Sequence, residues 1–470
     1  MRGRSAPYPL LTACLLLVVY SLTLAPTLSW AHHGADGGDL ATAVALGGVP
    51  HPPGFPTYTL LGELFVRLPW RDPVWRLNLM SAVLAAVAAG LTTAAVERLR
   101  PGRSPLVWAC AGLSIGLAPL FWSQAVITEV YTAAALFAAA IVLLVVSGGP
   151  AWLLGAAWGL GIGAHGTLVF LAPLIVHGAL RERGRRQAAV SALLVGPATL
   201  LGWVGAYGVM FATGRGGWSP WADLTTSSGR WALMSGGLYQ GYVFGLPLSA
   251  WPRRLLAWAG LLARQFTPLG ALLAGLGWLA LRRERTGLAA CSLASLVGLS
   301  VYTMGYDAAD SLVYLVAGLP LAAIWLGLGL DEAAEWVEQR LPRGAWLLVL
   351  LPLVQLVLFW GAMDVSDDRL AVAWADAVLE KAPPRAVILT NEDAHTFALW
   401  YTHDVLGRRE DAVIVDVDLW ALRPYRGMVG EDLGLGEGGV APDLSPADAA
   451  ELVGRPVVEA WAAGEAGPAQ

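Results

Sequence analysis

Polar residues able to do chemistry gather where the long apolar runs of this chain break off. Asp36 and Asp39 stand three apart in Asp36-Gly37-Gly38-Asp39, so a helix beginning near Asp36 carries both carboxylates on one face. Such groups suit a helix N-terminus, whose backbone N–H groups are free, and capping accounts for the pair as readily as catalysis does. The chemical alternative is a carboxylate held at a membrane surface as a general base. His51 opens His51-Pro52-Pro53-Gly54, a rigid turn in which proline fixes φ and glycine permits the bend. That histidine either contacts a headgroup phosphate or sits in interfacial water.

Further along, Glu129 falls at the outer end of an apolar run, in Thr128-Glu129-Val130-Tyr131. Ionisable groups at membrane depth are costly, which favours a role over simple solvation. His165 lies in a short connection and reads equally as a ligand or as a satisfied interfacial histidine. Trp221 and Asp223, in Trp218-Ser219-Pro220-Trp221-Ala222-Asp223, mark either an interfacial tryptophan belt or a platform for the apolar face of a sugar. Arg215, Arg230, Arg253, Arg254 and Arg264 stand on the same side and invite an anionic ligand such as phosphate, although Arg253 and Arg254 also fit snorkelling from an interfacial helix. Asp307 and Asp310, next to Tyr306 and Tyr314, belong either to a solvated loop or to a site.

The elements that must position these residues are membrane helices. Of the 470 residues, 56% are hydrophobic and 14% charged, where a soluble domain has about 25% charged residues. Apolar runs at 9–28, 77–96, 105–121, 130–147, 151–165, 167–180, 189–212, 266–281, 287–304, 311–330 and 344–362 predict about eleven spanning helices. The first run reads as a retained helix rather than a signal peptide, being long and without a clear small-x-small cleavage site. Cys14, Cys110 and Cys291 all fall inside apolar runs, so no disulfide framework or cysteine metal cluster is expected. A net charge of −5 gives no reason to expect a nucleic-acid partner.

Arginines set the orientation. Arg2 and Arg4, the groups 98–103, 181–186 and 282–285, and Arg340 with Arg343 fall on one side of the predicted spans. The positive-inside rule makes that side cytoplasmic, with the N-terminus, and places 29–76, 122–129, 213–265, 305–310 and everything after Met363 outside. Residues 1–363 are therefore expected to form the transmembrane domain. Residues 364–430 change character, with strand-like stretches at 386–390 and 412–417 around a helical run at 394–406, and predict a small external α/β domain. Residues 431–470 read as a flexible tail rich in Gly, Pro, Ala and acidic residues. Every polar residue singled out above maps to the external surface and none to mid-bilayer. That pattern favours surface chemistry on a lipid-linked substrate over a conducting path.

Taken in order, these motifs resemble the GT-C superfamily of membrane glycosyltransferases, and within it the protein O-mannosyltransferase-like family. That family opens with an Asp-x-Gly-Glu pattern and a His-Pro-Pro-Gly turn. Here they read Asp36-Gly37-Gly38-Asp39 and His51-Pro52-Pro53-Gly54, followed by Asn78, Ser81, Glu129-Val130-Tyr131, His165, Trp221–Asp223, Asp310 with Tyr314, and Asn391-Glu392-Asp393 with Trp400-Tyr401. Asp39 departs from the pattern, keeping the charge of the usual Glu with a shorter reach.

The resemblance implies an inverting transfer of a sugar, mannose first, from a polyprenyl-phosphate donor to a hydroxyl of a protein Ser/Thr or a glycan, on the extracytoplasmic side of a multi-pass cell-membrane protein. It implies Asp36 as the base, Asp39 and Glu129 as supporting carboxylates, Arg230 and His165 near the phosphate, and His51, Trp221, Asp223, Asp310 and Tyr314 as substrate-binding residues. The lipid-phosphate sugar is a co-substrate. Paired carboxylates suit Mg²⁺ or Mn²⁺, but nothing in the sequence requires a metal and no metal ligands are expected. A flippase or transporter fits the same hydropathy but predicts buried mid-span charges and internal repeats, and neither is seen. A non-catalytic subunit that binds a lipid-linked sugar is distinguished only by activity.

Overall fold

The computed structural model describes residues 7–180, 185–212, 218–436 and 440–461. Arg2, Arg4, Arg181, Arg183 and Arg215 lie outside the described residues, as does the tail beyond 461. The chain is mostly helical. Helices α1 (Tyr8–Thr23), α2 (Gly37–Leu46), α3 (Pro56–Val66), α4 (Pro73–Leu99), α5 (Pro105–Gly116), α6 (Pro119–Ala125), α7 (Tyr131–Ser147), α8 (Ala151–Ala164), α9 (Ala172–Leu180) and α10 (Arg185–Ala212) are followed by α11 (Ser227–Met234) and α12 (Trp251–Gln265). Then come α13 (Thr267–Glu284), α14 (Thr286–Gly305), α15 (Leu319–Glu338) and α16 (Leu350–Met363). Beyond them α17 (Leu370–Lys381), β1 (Val387–Thr390), α18 (Asp393–Trp400), β2 (Val413–Asp416), α19 (Arg423–Asp432), α20 (Pro446–Leu452) and β3 (Val457–Glu459) form the outer unit.

Among the described residues five helices are long and apolar enough to cross a membrane: Pro73–Leu99, Arg186–Ala212, Thr286–Gly305, Ser311–Glu338 and Gly344–Met363. Shorter apolar helices occupy Tyr8–Thr23, Tyr131–Ser147, Ala151–Ala164 and Gly166–Leu180. The run expected as one span over 105–121 is instead the pair α5 and α6, bent by 67°. Pro119 explains the break, because the residue before a proline is pushed out of the helical region and Ala118 is extended (ψ 130°). At the centre, α4 and the 311–338 helix bury most of their length, whereas α10 turns Leu193 and Leu201 outward. Large apolar side chains left uncovered along a whole helix suit a lipid-facing position.

One end of the helix bundle is clamped by Arg100, which pairs with Glu284 at 2.5 Å and with the buried Asp331 at 2.9 Å, tying α4 to α13 and α15. On the opposite side, α12 is amphipathic, with Leu255 and Leu256 exposed.

The strands expected at 386–390 and 412–417 are β1 and β2. They pair in parallel, with Val387 opposite Val413 and Thr390 opposite Asp416, and α18 lies in the crossover. The segment read as a flexible tail behaves differently. It contains α20 and β3, and β3 pairs in parallel with the other edge of β1 to complete the order β2-β1-β3. β3 is short and half-exposed, so it lacks the apolar run that marks a strand in sequence.

Candidate active site

The segment between α1 and α2 carries the first acidic pair. Asn78 of α4 anchors it, donating to the carbonyls of Ala25 and Thr27 at 3.0 and 3.2 Å. The same side chain accepts from Thr128 Oγ1 at 2.6 Å, and Ala25 N donates to Val126 O at 3.0 Å. The loops bearing Asp36 and Glu129 are thereby held together. His32 and His33 both sit in the left-handed region (φ 60° and 65°), where a side chain costs about 1–3 kcal/mol of strain. Gln124 Nε2 bonds the His32 carbonyl at 3.0 Å and helps hold this shape.

Gly38 has a steric reason to be glycine. A Cβ there would lie 2.3 Å from the backbone oxygen of Phe397, so α2 meets α18 of the outer unit with nothing between them. Two further contacts tie the segment ahead of α2 to this C-terminal region: Ser29 Oγ to Asp368, just before α17, at 2.5 Å and Trp30 Nε1 to Ala394 O of α18 at 3.1 Å.

The two aspartates separate in function at this point. Asp39, in the first turn of α2, is fully buried. Its Oδ2 accepts from the backbone N of His51 at 2.8 Å and from His51 Nδ1 at 2.7 Å, while its Oδ1 accepts from Trp221 Nε1 at 3.0 Å. An ionised carboxylate can only accept, so Nδ1 of His51 carries a proton. Nε2 of His51 then points toward Asp36, 3.7 Å from Oδ2. Asp36 precedes α2 and makes no side-chain capping bond, and its side chain is 34% exposed.

Asp36 opens into a cavity of about 560 Å³ that is also lined by His51, Glu129, His165, Asp310 and Asp393. Asp393, at the start of α18, comes from the outer unit. Tyr131, Tyr239, Tyr306 and Tyr314 form an aromatic wall, and Phe55 stacks on His165 with 6.0 Å between centroids. His165 accepts from Thr167 N at Nδ1, at 3.3 Å, which leaves the proton of the neutral ring on Nε2 as a donor. Among the described residues no Lys or Arg lines the cavity. Arg254 of α12 stands behind it and bonds the carbonyl of Ala308 at 2.5 Å and Ser311 Oγ at 3.2 Å, bracing the loop that carries Asp310.

The electrostatics follow from this crowding. Burial raises the Asp36 carboxyl above the usual range, His51 opposes that, and Asp310 and Asp39 add to it. For His51, burial would lower the imidazole, but Asp36 and the Asp39 hydrogen bond outweigh it and hold it up at about 9. Asp393 is pushed up to about 6, by burial first and then by Asp36. The ring of His51 is thus a cation at neutral pH beside several carboxylates.

Six of the residues expected at the site line the cavity: Asp36, His51, Glu129, His165, Asp310 and Tyr314. Asp39 and Trp221 stand behind it in a second layer and do not touch it. Asp223 and Arg230 are not brought there. Asp223 is exposed and accepts from Thr225 N at 2.9 Å within its own turn, and Arg230 Nε donates to Leu224 O at 2.6 Å with its guanidinium 5.7 Å from the Phe211 ring. Asp393 and Tyr239 were not expected as site residues. Asp393 was visible only as part of a motif, and Tyr239 carries no spacing signal. Among the described residues no group of three His, Cys, Asp or Glu side chains is disposed to hold a metal ion.

Residues 36–187 match the family model described as the Protein O-mannosyl-transferase TMEM260 N-terminal domain. The structure of ArnT from Cupriavidus metallidurans bound to undecaprenyl phosphate superposes with a TM-score of 0.58 at 13% identity, covering 89% of this chain and 91% of that one. The chain has the GT-C fold. Its sequence is similar to protein O-mannosyl-transferase TMEM260 of Mus musculus, 35% identical over 129 residues, and to that of Dictyostelium discoideum, 32% identical over 85 residues. These alignments take in 27% and 16% of this chain but only 18% and 10% of the relatives, so the chain spans a small part of the length of the curated proteins it matches. The stretch matched by the family model holds Asp36, Asp39, His51, Glu129 and His165.

Proposed function

We propose that this chain is an integral membrane glycosyltransferase that moves mannose from a polyprenyl-phosphate donor to a hydroxyl of a protein Ser/Thr or a glycan, with inversion, on the extracytoplasmic face. The observation that carries the reading is Asp36, a cavity-facing carboxylate with no capping bond, set 3.7 Å from a histidine that a buried second carboxylate holds in place. The GT-C fold, the similarity to protein O-mannosyl-transferases and the lipid phosphate bound by ArnT support the donor class. In the same proposal all eleven apolar runs cross the membrane, the N-terminus is cytoplasmic, 1–363 is the transmembrane domain and 364–430 is an external domain extended by the β3 segment.

In the proposed reaction the acceptor oxygen attacks the anomeric carbon. The bond from that carbon to the phosphate oxygen breaks with its electron pair moving to the phosphate, and the hydroxyl proton passes to Asp36. The imidazolium of His51 and the Nε2–H of His165 face the phosphate as charge develops, in a cavity where such donors act strongly. Glu129 and Asp310 orient the sugar hydroxyls, and the tyrosine wall receives its apolar face. Asp39 supports the reaction by fixing His51.

Purified protein in lipid vesicles, given radiolabelled undecaprenyl-phosphate mannose and a Ser/Thr-rich peptide, is expected to yield labelled peptide or, in its absence, free mannose. Retention of all label on the lipid by folded wild-type protein, across several sugars and acceptors, would refute the reading.

A further inference from the structure

Trp221 is buried and outside the cavity, yet it holds one end of a chain that reaches Asp36. Its indole Nε1 donates to Asp39 Oδ1 at 3.0 Å, while Asp39 Oδ2 takes both the backbone N and the Nδ1 of His51. A buried carboxylate engaged through both oxygens has a single orientation. Without the indole donor, Oδ1 loses its partner in a site closed to water and the carboxylate is free to turn.

The indole is set from the other side by the outer unit. Phe397 and Trp400 meet its ring at 6.0 and 6.2 Å between centroids. Trp218 packs edge-on against Trp400 at 5.2 Å, and its carbonyl accepts from Val49 N at 3.1 Å, just ahead of His51. A Cβ on Gly48 would lie 2.3 Å from that same carbonyl oxygen. The turn 218–222 is therefore wedged between α18 and the segment that carries His51.

We infer that Trp221 is a positioning residue that couples the outer domain to Asp36 through Asp39 and His51, an inference that rests on the reading above for its catalytic consequence alone. The groups facing Asp36 are Asp39, His51, Glu129, Asp310 and Asp393, with tyrosine hydroxyls that stay neutral. His51 is the one cation among them. Held by Asp39, it keeps Asp36 ionised and able to take a proton. Released, it leaves Asp36 among carboxylates that raise its proton affinity.

The test uses full-length protein in detergent micelles. Trp221→Phe keeps a ring and removes the N–H, and Trp400→Leu removes the outer-domain ring contact while leaving every atom of Trp221, Asp39 and His51 in place. Imidazole signals of ¹⁵N-histidine-labelled protein are followed by NMR against pH, with His51 identified by its loss in His51→Gln. The measurement needs no substrate. His51 is expected to titrate near 9 in the wild type, about one unit or more lower in Trp221→Phe, and in the same direction but less in Trp400→Leu. With undecaprenyl-phosphate mannose as probe, Trp221→Phe should lower kcat about tenfold more at pH 6 than at pH 8, with KM for the donor unchanged at pH 6, where His51 is charged in both proteins, and raised at pH 8.

Identical His51 titration in all three proteins overturns the inference. If Trp221→Phe does not fold, Trp400→Leu decides alone: a lowered titration supports the coupling and an unchanged one overturns it. A lowered titration in protein that transfers no sugar refutes the glycosyltransferase reading and leaves the coupling standing.

Discussion

Replacing Asp36 by Asn separates the two roles that its sequence position allows. Asn matches the size of Asp and can cap a helix, but it accepts no proton at neutral pH. Asp36 makes no capping bond and its side chain is one-third open to the cavity (34%), so the fold draws little from it. Losing its attraction to His51 and its repulsion from Asp310 and Asp39 act in opposite directions, so stability should change by about 1 kcal/mol or less. Catalysis is a different matter. Losing a positioned general base costs about 10²- to 10⁴-fold in rate, roughly 3–5 kcal/mol of barrier. Asp39→Asn should behave in the opposite way. It removes a fully buried acceptor of three hydrogen bonds, two of them from His51, and is expected to lower stability by about 2 kcal/mol or more together with activity. The assay is the initial transfer rate at saturating donor, with Tm and donor binding measured on the same preparations. An Asp36→Asn protein that folds, binds donor and turns over within a few-fold of wild type would remove Asp36 from the mechanism.

The pH profile follows from the same cluster. Asp36 must be ionised to accept a proton and its carboxyl lies above the usual range, so activity should fall on acidification at a higher pH than an ordinary carboxylate would give. His51 is charged until about 9, so donor affinity should drop as pH rises through that value, and His51→Gln should abolish this limb. By linkage, a raised imidazole stabilises the fold fully below its unfolded value near 6.5 and loses that contribution as pH climbs toward 9, which Tm against pH will read. Gly38→Ala drives a methyl to within 2.3 Å of the Phe397 oxygen and should cost about 1–3 kcal/mol with faster proteolysis of the outer unit, whereas Gly205→Ala, with nothing within 4 Å, should be neutral or slightly stabilising. Single cysteines at Arg283 and Glu410, both exposed, should label from opposite sides of the membrane in intact cells, position 410 from outside; labelling of both from one side would sink the proposed topology.

Much of the site was legible because it is local. Asp36-Gly37-Gly38-Asp39 and His51-Pro52-Pro53-Gly54 are short, and each sets its own geometry. The resemblance singled out Asp36, but spacing alone did not say which aspartate faces the cavity, since residues three apart share a helix face only if both lie in the helix. Here Asp36 precedes α2, and the packing of Gly38 against Phe397, far away in sequence, fixes the roll that turns Asp39 inward. Arg230 looked like a phosphate ligand because it opposes the charge bias of its side of the membrane. A backbone carbonyl six residues away satisfies it instead, and sequence gives no account of such carbonyls. Of the tyrosine wall only Tyr314 was expected at the site, for a related reason. Tyr131, Tyr239, Tyr306 and Tyr314 come from separate loops and helix ends, and only the folded chain brings them to one surface. The bend at Pro119 was readable in principle, since a proline inside an apolar run breaks or kinks the helix that carries it.

The hydrogen bond between Ser29 and Asp368 joins residues 339 positions apart. At about 5–20 residues per second, a ribosome takes roughly 20–70 s to travel that distance. In the proposed topology the first outer loop is through the membrane for all of that interval, with its acidic pair in place and its roof still unmade. Asp393 is missing and the indole of Trp221 has no backing. A half-made chain is therefore silent. On the proposed reading the chain carries its own assembly timer, and transfer can begin only after the final membrane helix has let the outer strands through.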